Sequence, residues 1–171
     1  MATNYDELYA NDDNVCGAPF KELTGFFNDI PHTTKLNVLD AGCGQGRDTL
    51  FVARLGHTVH AIDTSPNGIQ QLLAVTAKGN LNVSAEVADT RSYSTKNKFD
   101  IVLIDRVLHM LAPSDRVTTL SRYAEMVAPN GYLLIMDTPT NIGPFSKMLD
   151  QPDYWKNCLL TKNALFSQRL S

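Results

Sequence analysis

The stretch VLDAGCGQGRDT at positions 38–49 places one carboxylate, three glycines at alternate positions and an arginine directly after an apolar run. Glycine loses more conformational entropy on folding than other residues, so glycines this dense indicate that something requires a bare main chain there. If the stretch joins a strand to a helix, it faces the helix N-terminus, where unpaired N–H groups and a partial positive charge collect. That setting suits either a dinucleotide, through its pyrophosphate, or an adenosyl ligand with an amino-acid tail.

The spacing and charge of this stretch favour the adenosyl ligand. Gly42, Gly44 and Gly46 form G-x-G-x-G, whereas the dinucleotide fingerprint is G-x-G-x-x-G. Asp40 stands two residues before the first glycine, and its carboxylate would repel a pyrophosphate and attract an ammonium or sulfonium group. An NAD-dependent oxidoreductase is therefore the less favoured alternative, and little of the chain is left over for its substrate chemistry.

Aspartates also close the other predicted strands, at Asp63, Asp89 and Asp105, and Asp137 follows the fifth strand. Ligands of parallel sheets sit beyond the carboxyl ends of the strands, so these side chains would share one rim. Asp63 could accept hydrogen bonds from both ribose hydroxyls, and Asp89 from an exocyclic adenine amine. Any one of these aspartates, taken alone, could equally be a helix cap or a turn residue.

The elements that would position this rim alternate along the chain. Five apolar runs predict strands: KLNVLDAG, HTVHAID, LNVSAEVAD, KFDIVLID and YLLIMDT. Segments with apolar residues at helical spacing separate most of them, and Ser65 followed by Pro66 is a typical helix start. Alternation of this kind predicts an α/β fold with a doubly wound, mostly parallel sheet and right-handed crossovers.

The 171 residues fit one domain, with a helical cover at 1–33, a ligand-binding core at 36–138 and a shortened C-terminal segment at 139–171. The C-terminal stretch LLTKNALFSQRLS predicts a helix capped by Thr161. The last two strands of a full sheet would then be missing, and strand five would be an exposed edge. Bare edges are rare, so we expect a second subunit in a homodimer, or the segment NIGPFSKMLDQPDYW, to cover it.

Composition excludes several function classes. The net charge is -3 and no run of basic residues exists, so a nucleic-acid partner is not expected. The cysteines, Cys16, Cys43 and Cys158, are far apart, which argues against a metal site or a disulfide framework. No apolar run approaches membrane-spanning length and the first residues are polar, so a cytoplasmic protein with no membrane partner is expected.

Several of these segments together carry a family resemblance. The segments VLDAGCGQG, VHAIDTSP, AEVADT, FDIVLIDRVLHML and MVAPNGYLLI resemble the motifs of class I S-adenosylmethionine-dependent methyltransferases over about residues 36–138. Within that class, GCGQGRDTLFVARLGHTVHAID is most similar to the small tellurite-resistance and thiopurine-type enzymes. The resemblance implies a Rossmann-like fold, S-adenosyl-L-methionine as methyl donor and S-adenosyl-L-homocysteine as product.

The resemblance also implies roles for individual residues. The methionine end of the donor would be held by Asp40 and the loop Gly42, Cys43, Gly44 and Gly46, with Arg47 assisting. The ribose would be held by Asp63 beside Thr64, the adenine by Asp89 beside Thr90, and the amino group by the main chain near Asp105. Two alternatives stay open: Arg47 is a surface residue paired with Asp48 or Asp40, and the Cys43 side chain packs as a small apolar group.

The implied reaction is methyl transfer to a small-molecule acceptor by direct displacement, which needs alignment and desolvation more than a dedicated catalytic residue. A base is needed only if the acceptor arrives protonated. His109, just past strand four, is the leading base candidate, and its alternative role is packing over the cofactor or a helix. Tyr9 is a candidate lid or pocket residue. The alternative function is a module that binds the donor or its product without turnover.

Overall fold

The structure is a computed structural model that describes residues 4–12, 15, 17–31 and 33–171. It divides into two compact units, Met1–Thr90 and Arg91–Ser171. The assignment of the whole chain to one domain stays a prediction. Cys16 lies outside the described residues.

The first unit alternates helices and parallel strands as the apolar rhythm predicted. Its helices are α1 (Tyr5–Asn11), α2 (Lys21–Asn28), α3 (Arg47–Arg54) and α4 (Pro66–Gly79), and its strands are β1 (Asn37–Ala41), β2 (Thr58–Asp63) and β3 (Val83–Val87). The predicted start of α4 is confirmed, because the Ser65 hydroxyl accepts the N–H of Gly68 at 3.0 Å and Pro66 occupies the first turn. Asn80 ends α4 in the left-handed conformation.

The strand register of this unit aligns the acidic strand ends. β1 pairs with β2 in parallel, with Asp40 opposite Ala61, and β2 pairs with β3, with Asp63 opposite Val87. Asp89 therefore follows β3 two residues beyond the level of Asp63. The carboxyl ends of all three strands meet at one edge, as the rim hypothesis requires.

Helix α1 is fastened to the start of α4 by Asp6. One carboxylate oxygen of Asp6 accepts the Ser65 hydroxyl at 2.5 Å and the Asn67 N–H at 3.0 Å, and the other accepts the Asn67 side-chain amide at 2.9 Å. These bonds, with that from the Ser65 hydroxyl dominant, lower the pKa of Asp6. An acidic group at this end of a helix also complements the helix dipole.

The second unit continues the alternation and then adds an antiparallel hairpin. Its strands are β4 (Phe99–Asp105), β5 (Val127–Met136), β6 (Trp155–Leu160) and β7 (Ala164–Arg169), its helices are α5 (Pro113–Met126) and α6 (Pro139–Met148), and one 3-10 turn spans Leu108–Met110. β4 pairs with β5 in parallel, and β7 lies antiparallel between β5 and β6. The strands form a mostly parallel seven-stranded sheet in the order β3-β2-β1-β4-β5-β7-β6.

The prediction that the last two strands are missing is wrong, and so is the C-terminal helix. Thr161 does not cap a helix; its hydroxyl accepts the N–H groups of Asn163 and Ala164 in the turn between β6 and β7. β7 is buried on both faces from Ala164 to Ser167, so its apolar residues show no strand alternation that the sequence could reveal.

The prediction about what covers strand five is wrong as well. β5 pairs with β7 along Tyr132–Met136, so β5 is not an edge strand. The segment expected to cover it instead contributes α6. A second subunit has no bare edge of β5 to cover, which removes the reason given for a homodimer. Within the described ranges, every helix is too short or too polar to cross a bilayer.

Candidate functional site

The glycine loop between β1 and α3 is held at its base by main-chain bonds to β2. The N–H groups of Gly42 and Cys43 donate to the carbonyl of Ile62 at 2.8 and 3.0 Å. Gly42, Gly44 and Gly46 have φ of 83°, 53° and 85°. Residues other than glycine are strained at these positive φ values. The main-chain conformation of the loop therefore explains why all three positions are glycine.

Two of the three glycines also lie against the protein's own side chains. A Cβ on Gly44 would stand 2.5 Å from the hydroxyl oxygen of Tyr9, and a Cβ on Gly46 would clash with Cδ1 of Leu72. The bare main chain is thus needed by the fold itself, on the side where a Cβ would project. Contact between the loop and a donor's tail remains a prediction.

Asp63 at the end of β2 organises the loop from the other side. One of its carboxylate oxygens accepts the Gly44 N–H at 2.8 Å, and the other accepts the Ser65 N–H at 2.8 Å. Each oxygen of a carboxylate can accept a second hydrogen bond, so capacity for ribose hydroxyls remains. Thr64, between Asp63 and Ser65, is exposed.

Asp40, at the end of β1, is a buried acid whose pKa is raised far above its ordinary value. It is 2% exposed and accepts the Thr49 hydroxyl at 2.5 Å. Burial raises the pKa of Asp40 to about 7, and the negative charge of Asp48 adds to the effect. The Thr49 bond and Arg47 oppose it, while Asp63 contributes in the raising direction. A buried acid surrounded by other acids is stabilised by a cation, so this donor set fits a positively charged ligand and not a pyrophosphate.

Arg47 has a partner in the protein. Its Nε and Nη2 donate to the two carboxylate oxygens of Asp48 at 2.9 and 2.7 Å, and its guanidinium carbon lies 5.6 Å from the centre of the Phe20 ring. The pairing with Asp48 is one of the two alternatives that the sequence left open. A part in holding a cofactor stays a prediction.

Tyr9 and Gln45 bring α1 and the following residues onto the loop. Tyr9 is 5% exposed, and its carbonyl accepts the side-chain amide of Gln71 at 2.6 Å. The Gln45 amide donates to Gln71 at 2.8 Å, and its oxygen accepts the N–H of Val15 at 3.0 Å. Tyr9 therefore packs against the glycine loop, and its role as a lid or pocket residue stays a prediction. Gln45 was missed, because nothing in the sequence distinguishes it from a spacer between glycines.

Cys43 and the end of β3 complete the first unit's candidate set. The Cys43 side chain is buried among Ala61, Ile69 and Leu72, which is the apolar packing expected of it. Asp89 is half-buried and Thr90 is buried just beyond β3. The structure thus brings the glycine loop, Asp40, Asp63 and Tyr9 into one contiguous group, as these contacts show. The assignment of Asp89 and Thr90 to adenine stays a prediction.

The remaining candidates, Asp105 and His109, belong to the second unit. Asp105 is the last residue of β4 and is buried. His109 sits in the 3-10 turn that follows, and its N–H donates to Oδ2 of Asp137 at 3.1 Å. The sequence placed Asp137 with the aspartates that follow the strands but assigned it no individual role. Within the described residues, no group of three or more His, Cys, Asp or Glu side chains is arranged to hold a metal ion.

Known proteins share sequence with this chain over most of the predicted ligand-binding core. A family described as a methyltransferase domain matches residues 38–131. The probable S-adenosyl-L-methionine-dependent methyltransferase TehB of Haemophilus influenzae (strain 10810) is 30% identical over 119 residues, which cover 67% of this chain and 41% of that protein. The chain thus spans about two fifths of the length of this curated relative.

Solved structures share the fold. The crystal structure of TehB from Haemophilus influenzae superposes with a TM-score of 0.71 at 21% identity, over 91% of this chain and 63% of that one. The N-methyltransferase NodS from Bradyrhizobium japonicum WM9, in complex with S-adenosyl-l-homocysteine, gives 0.74 at 19% identity, over 96% and 95%. Three features therefore coincide: the matched domain, the seven-stranded fold and the acid-lined glycine loop.

Proposed function

Since the chain belongs to the methyltransferase-domain family, as a class I S-adenosylmethionine-dependent methyltransferase close to TehB, we propose that it transfers a methyl group to a small-molecule acceptor. The methyl donor of this family is S-adenosyl-L-methionine, and the product is S-adenosyl-L-homocysteine. A small-molecule rather than nucleic-acid acceptor and a cytoplasmic location are parts of the proposal.

One observation carries the proposal beyond the family. Asp40 is buried directly before the glycine loop, and burial raises its pKa to about 7. The negative charges of Asp48 and Asp63 also act to raise this pKa. Such a group gains from a cationic ligand, because a positive charge nearby favours the ionised carboxylate. Both an ammonium and a sulfonium supply that charge, and a pyrophosphate does not.

The protein's own contribution to transfer is positioning. When bound, the donor supplies a methyl group attached to a positively charged sulfur, and this sulfur leaves readily as a neutral thioether. Asp63, already oriented by the N–H groups of Gly44 and Ser65, would hold the ribose hydroxyls. Asp40 would hold the positive end, and the loop Gly42–Gly46 would line the amino-acid tail. Fixing the reactants in line and keeping water out supplies most of the rate enhancement such a displacement needs.

Two measurements test the proposal. Calorimetric titration is expected to show binding of S-adenosylhomocysteine and none of NAD. A turnover screen with thiols, phenols, amines and the oxyanions tellurite and selenite is then expected to show product formation from S-adenosylmethionine. Binding without turnover on any acceptor would instead support the alternative function of a non-catalytic binding module. Binding of NAD alone would refute the donor assignment.

Asp63→Ala is expected to weaken binding of S-adenosylhomocysteine by about 1–3 kcal/mol, or roughly 5- to 150-fold, because the ribose hydroxyls lose a charged acceptor. Asp153→Ala, at an exposed aspartate in the second unit, is the control and should leave the affinity unchanged. Since Asp63 also fastens the loop, the titration is paired with a denaturation curve. An unchanged affinity in a folded Asp63→Ala protein would show that the ribose is held elsewhere.

A further inference from the structure

The turn that carries His109 is held from both sides by side chains of other elements. The main-chain N–H of His109 donates to Oδ2 of Asp137 at 3.1 Å, and its main-chain carbonyl accepts Nη2 of Arg116 at 3.0 Å. Arg116 lies on α5, and Asp137 directly follows β5. The main-chain N–H and the main-chain carbonyl of His109 are therefore both held, independently of the side chain at position 109.

The two holding groups are linked to each other through Asn141. The Asn141 amide donates to Oδ1 of Asp137 at 2.8 Å, and its oxygen accepts Nη1 of Arg116 at 2.9 Å. Oδ1 of Asp137 also accepts the N–H of Thr138 at 2.7 Å, and Arg116 Nε donates to Leu111 O at 3.1 Å. The Asp137 side chain is fully buried. A network satisfied in this way is rigid, because each member has its partners fixed.

The ring of His109 presents its two nitrogens to different surroundings. Nδ1 is buried, has no hydrogen-bond partner among the described residues and lies 3.8 Å from Oδ1 of Asp137. The side chain as a whole is 31% exposed, so the exposed part of the ring lies away from Nδ1. The Oδ1 atom that Nδ1 faces already accepts three hydrogen bonds, from the Asn141 amide and from the N–H and hydroxyl of Thr138. Asp137 therefore acts on the Nδ1 proton through the charge of its buried carboxylate and not through a further hydrogen bond.

We propose that Asp137 is a positioning residue that keeps the proton of His109 on Nδ1, so that Nε2 accepts a proton from an acceptor bearing O–H or N–H. This inference rests on the proposed methyl transfer and narrows its acceptor to a hydroxyl or amine compound. A buried carboxylate facing one imidazole nitrogen fixes the tautomer and stabilises the imidazolium that forms. A thiolate or a metalloid oxyanion needs no base, so His109 and Asp137 would not contribute to methyl transfer to those acceptors.

The O–H or N–H bond of the acceptor breaks, its proton passes to Nε2 of His109, and its electron pair stays on the acceptor atom. That atom forms the new bond to the methyl carbon, and the electron pair of the broken sulfur–carbon bond stays on sulfur. The imidazolium, next to Asp137, later returns the proton to water. No oxidant or metal is required.

Spectroscopy tests the tautomer without any acceptor. In ¹⁵N-histidine-labelled protein, the ring nitrogens of His109, assigned by their loss in His109→Gln, are expected to show the Nδ1–H form. Asp137→Asn is expected to shift that population toward Nε2–H. His109→Gln should fold, because the network holds only main-chain atoms of residue 109. An Nε2–H form in the unchanged protein would overturn the proposal even if Asp137→Asn fails to fold.

Kinetics test the acceptor class with matched pairs, 4-chlorophenol against 4-chlorothiophenol and benzylamine against benzyl mercaptan. His109→Ala is expected to lower kcat for the phenol or amine by about 100-fold or more and to leave the thiol within about 3-fold. Added imidazole should restore part of the phenol rate. Asp137→Asn should lower the same kcat by about 10- to 100-fold without changing KM for the donor.

The outcomes separate this inference from the proposed function. Turnover by the unchanged protein with thiols or tellurite alone would leave methyl transfer standing and overturn the role of His109 and Asp137. Equal losses for phenol and thiol would also overturn it, since they indicate a structural role. Failure to bind S-adenosylhomocysteine would instead refute the proposed function.

Among the described residues, the charged groups that hydrogen-bond to the turn carrying His109 include Asp137 and Arg116, and Asp105 and Arg106 precede the turn along the chain.

Discussion

Asp40→Asn is expected to make the ligand-free protein more stable at pH 8 and no more stable at pH 5. In the unfolded chain an aspartate loses its proton near pH 3.8, whereas burial raises the pKa of Asp40 in the folded state to about 7. Between these values the folded state binds more protons, so the free energy of unfolding falls as pH rises through this window. The full penalty, at most about 4 kcal/mol, is reached above pH 7.

Asparagine at position 40 removes that penalty and keeps an oxygen for the Thr49 hydroxyl. Its buried NH₂ group brings a desolvation penalty of about 1–3 kcal/mol, so the net gain expected at pH 8 is about 1–3 kcal/mol. Chemical denaturation at pH 5, 6, 7 and 8 measures the difference between the two proteins. Asp153→Asn, an exposed aspartate with the same loss of charge, is the control. A difference that does not grow with pH would contradict the assignment.

Asp40→Asn is also expected to weaken ligand binding, because it removes the carboxylate that would pair with the ligand's ammonium group. At pH 8, where Asp40 is ionised, loss of its charge should weaken the affinity for S-adenosylhomocysteine by about 10- to 100-fold. At pH 6, where Asp40 holds its proton, the two proteins should differ much less. Using the ratio of affinities removes the titration of the ligand's own amino group. A ratio independent of pH would place the ammonium away from Asp40.

Gly46→Ala is expected to lower the free energy of unfolding by about 2–5 kcal/mol. Gly46 has φ of 85°, where a Cβ costs about 1–2 kcal/mol. The new methyl would also clash with Cδ1 of Leu72, a fully buried side chain, and overpacking a core costs about 1–3 kcal/mol. Thermal and urea denaturation measure the loss.

The matched control is Gly25→Ala in α2. A Cβ there meets nothing within 4 Å, and alanine in a helix is more favourable than glycine by about 0.5–1 kcal/mol. Gly25→Ala should therefore stabilise the protein slightly. If Gly46→Ala proved as harmless as Gly25→Ala, the loop would have to adopt a different path from the one seen here. The affinity for S-adenosylhomocysteine, measured on the same proteins, shows whether the loop's path also matters for the ligand.

The sequence by itself determined the features that are encoded over a few neighbouring residues. The glycine spacing, the Ser65–Pro66 start of α4 and the aspartates after the strands are local signals. Each reports a main-chain conformation or a cap that depends on its own residues. The family followed from the same segments, because its motifs are themselves loops at strand ends. The parallel part of the sheet was predicted for this reason.

The tertiary structure decided what depends on partners far along the chain. β7 shows no alternation, because neighbouring strands and helices bury both of its faces, and only pairing with β5 and β6 distinguishes it from a helix. The loop's packing on Tyr9 and Leu72 joins residues many positions apart. So does the network that joins His109 to Asp137 and Arg116. Side-chain contacts of this kind are set by how the elements pack, and no short stretch of sequence contains that information.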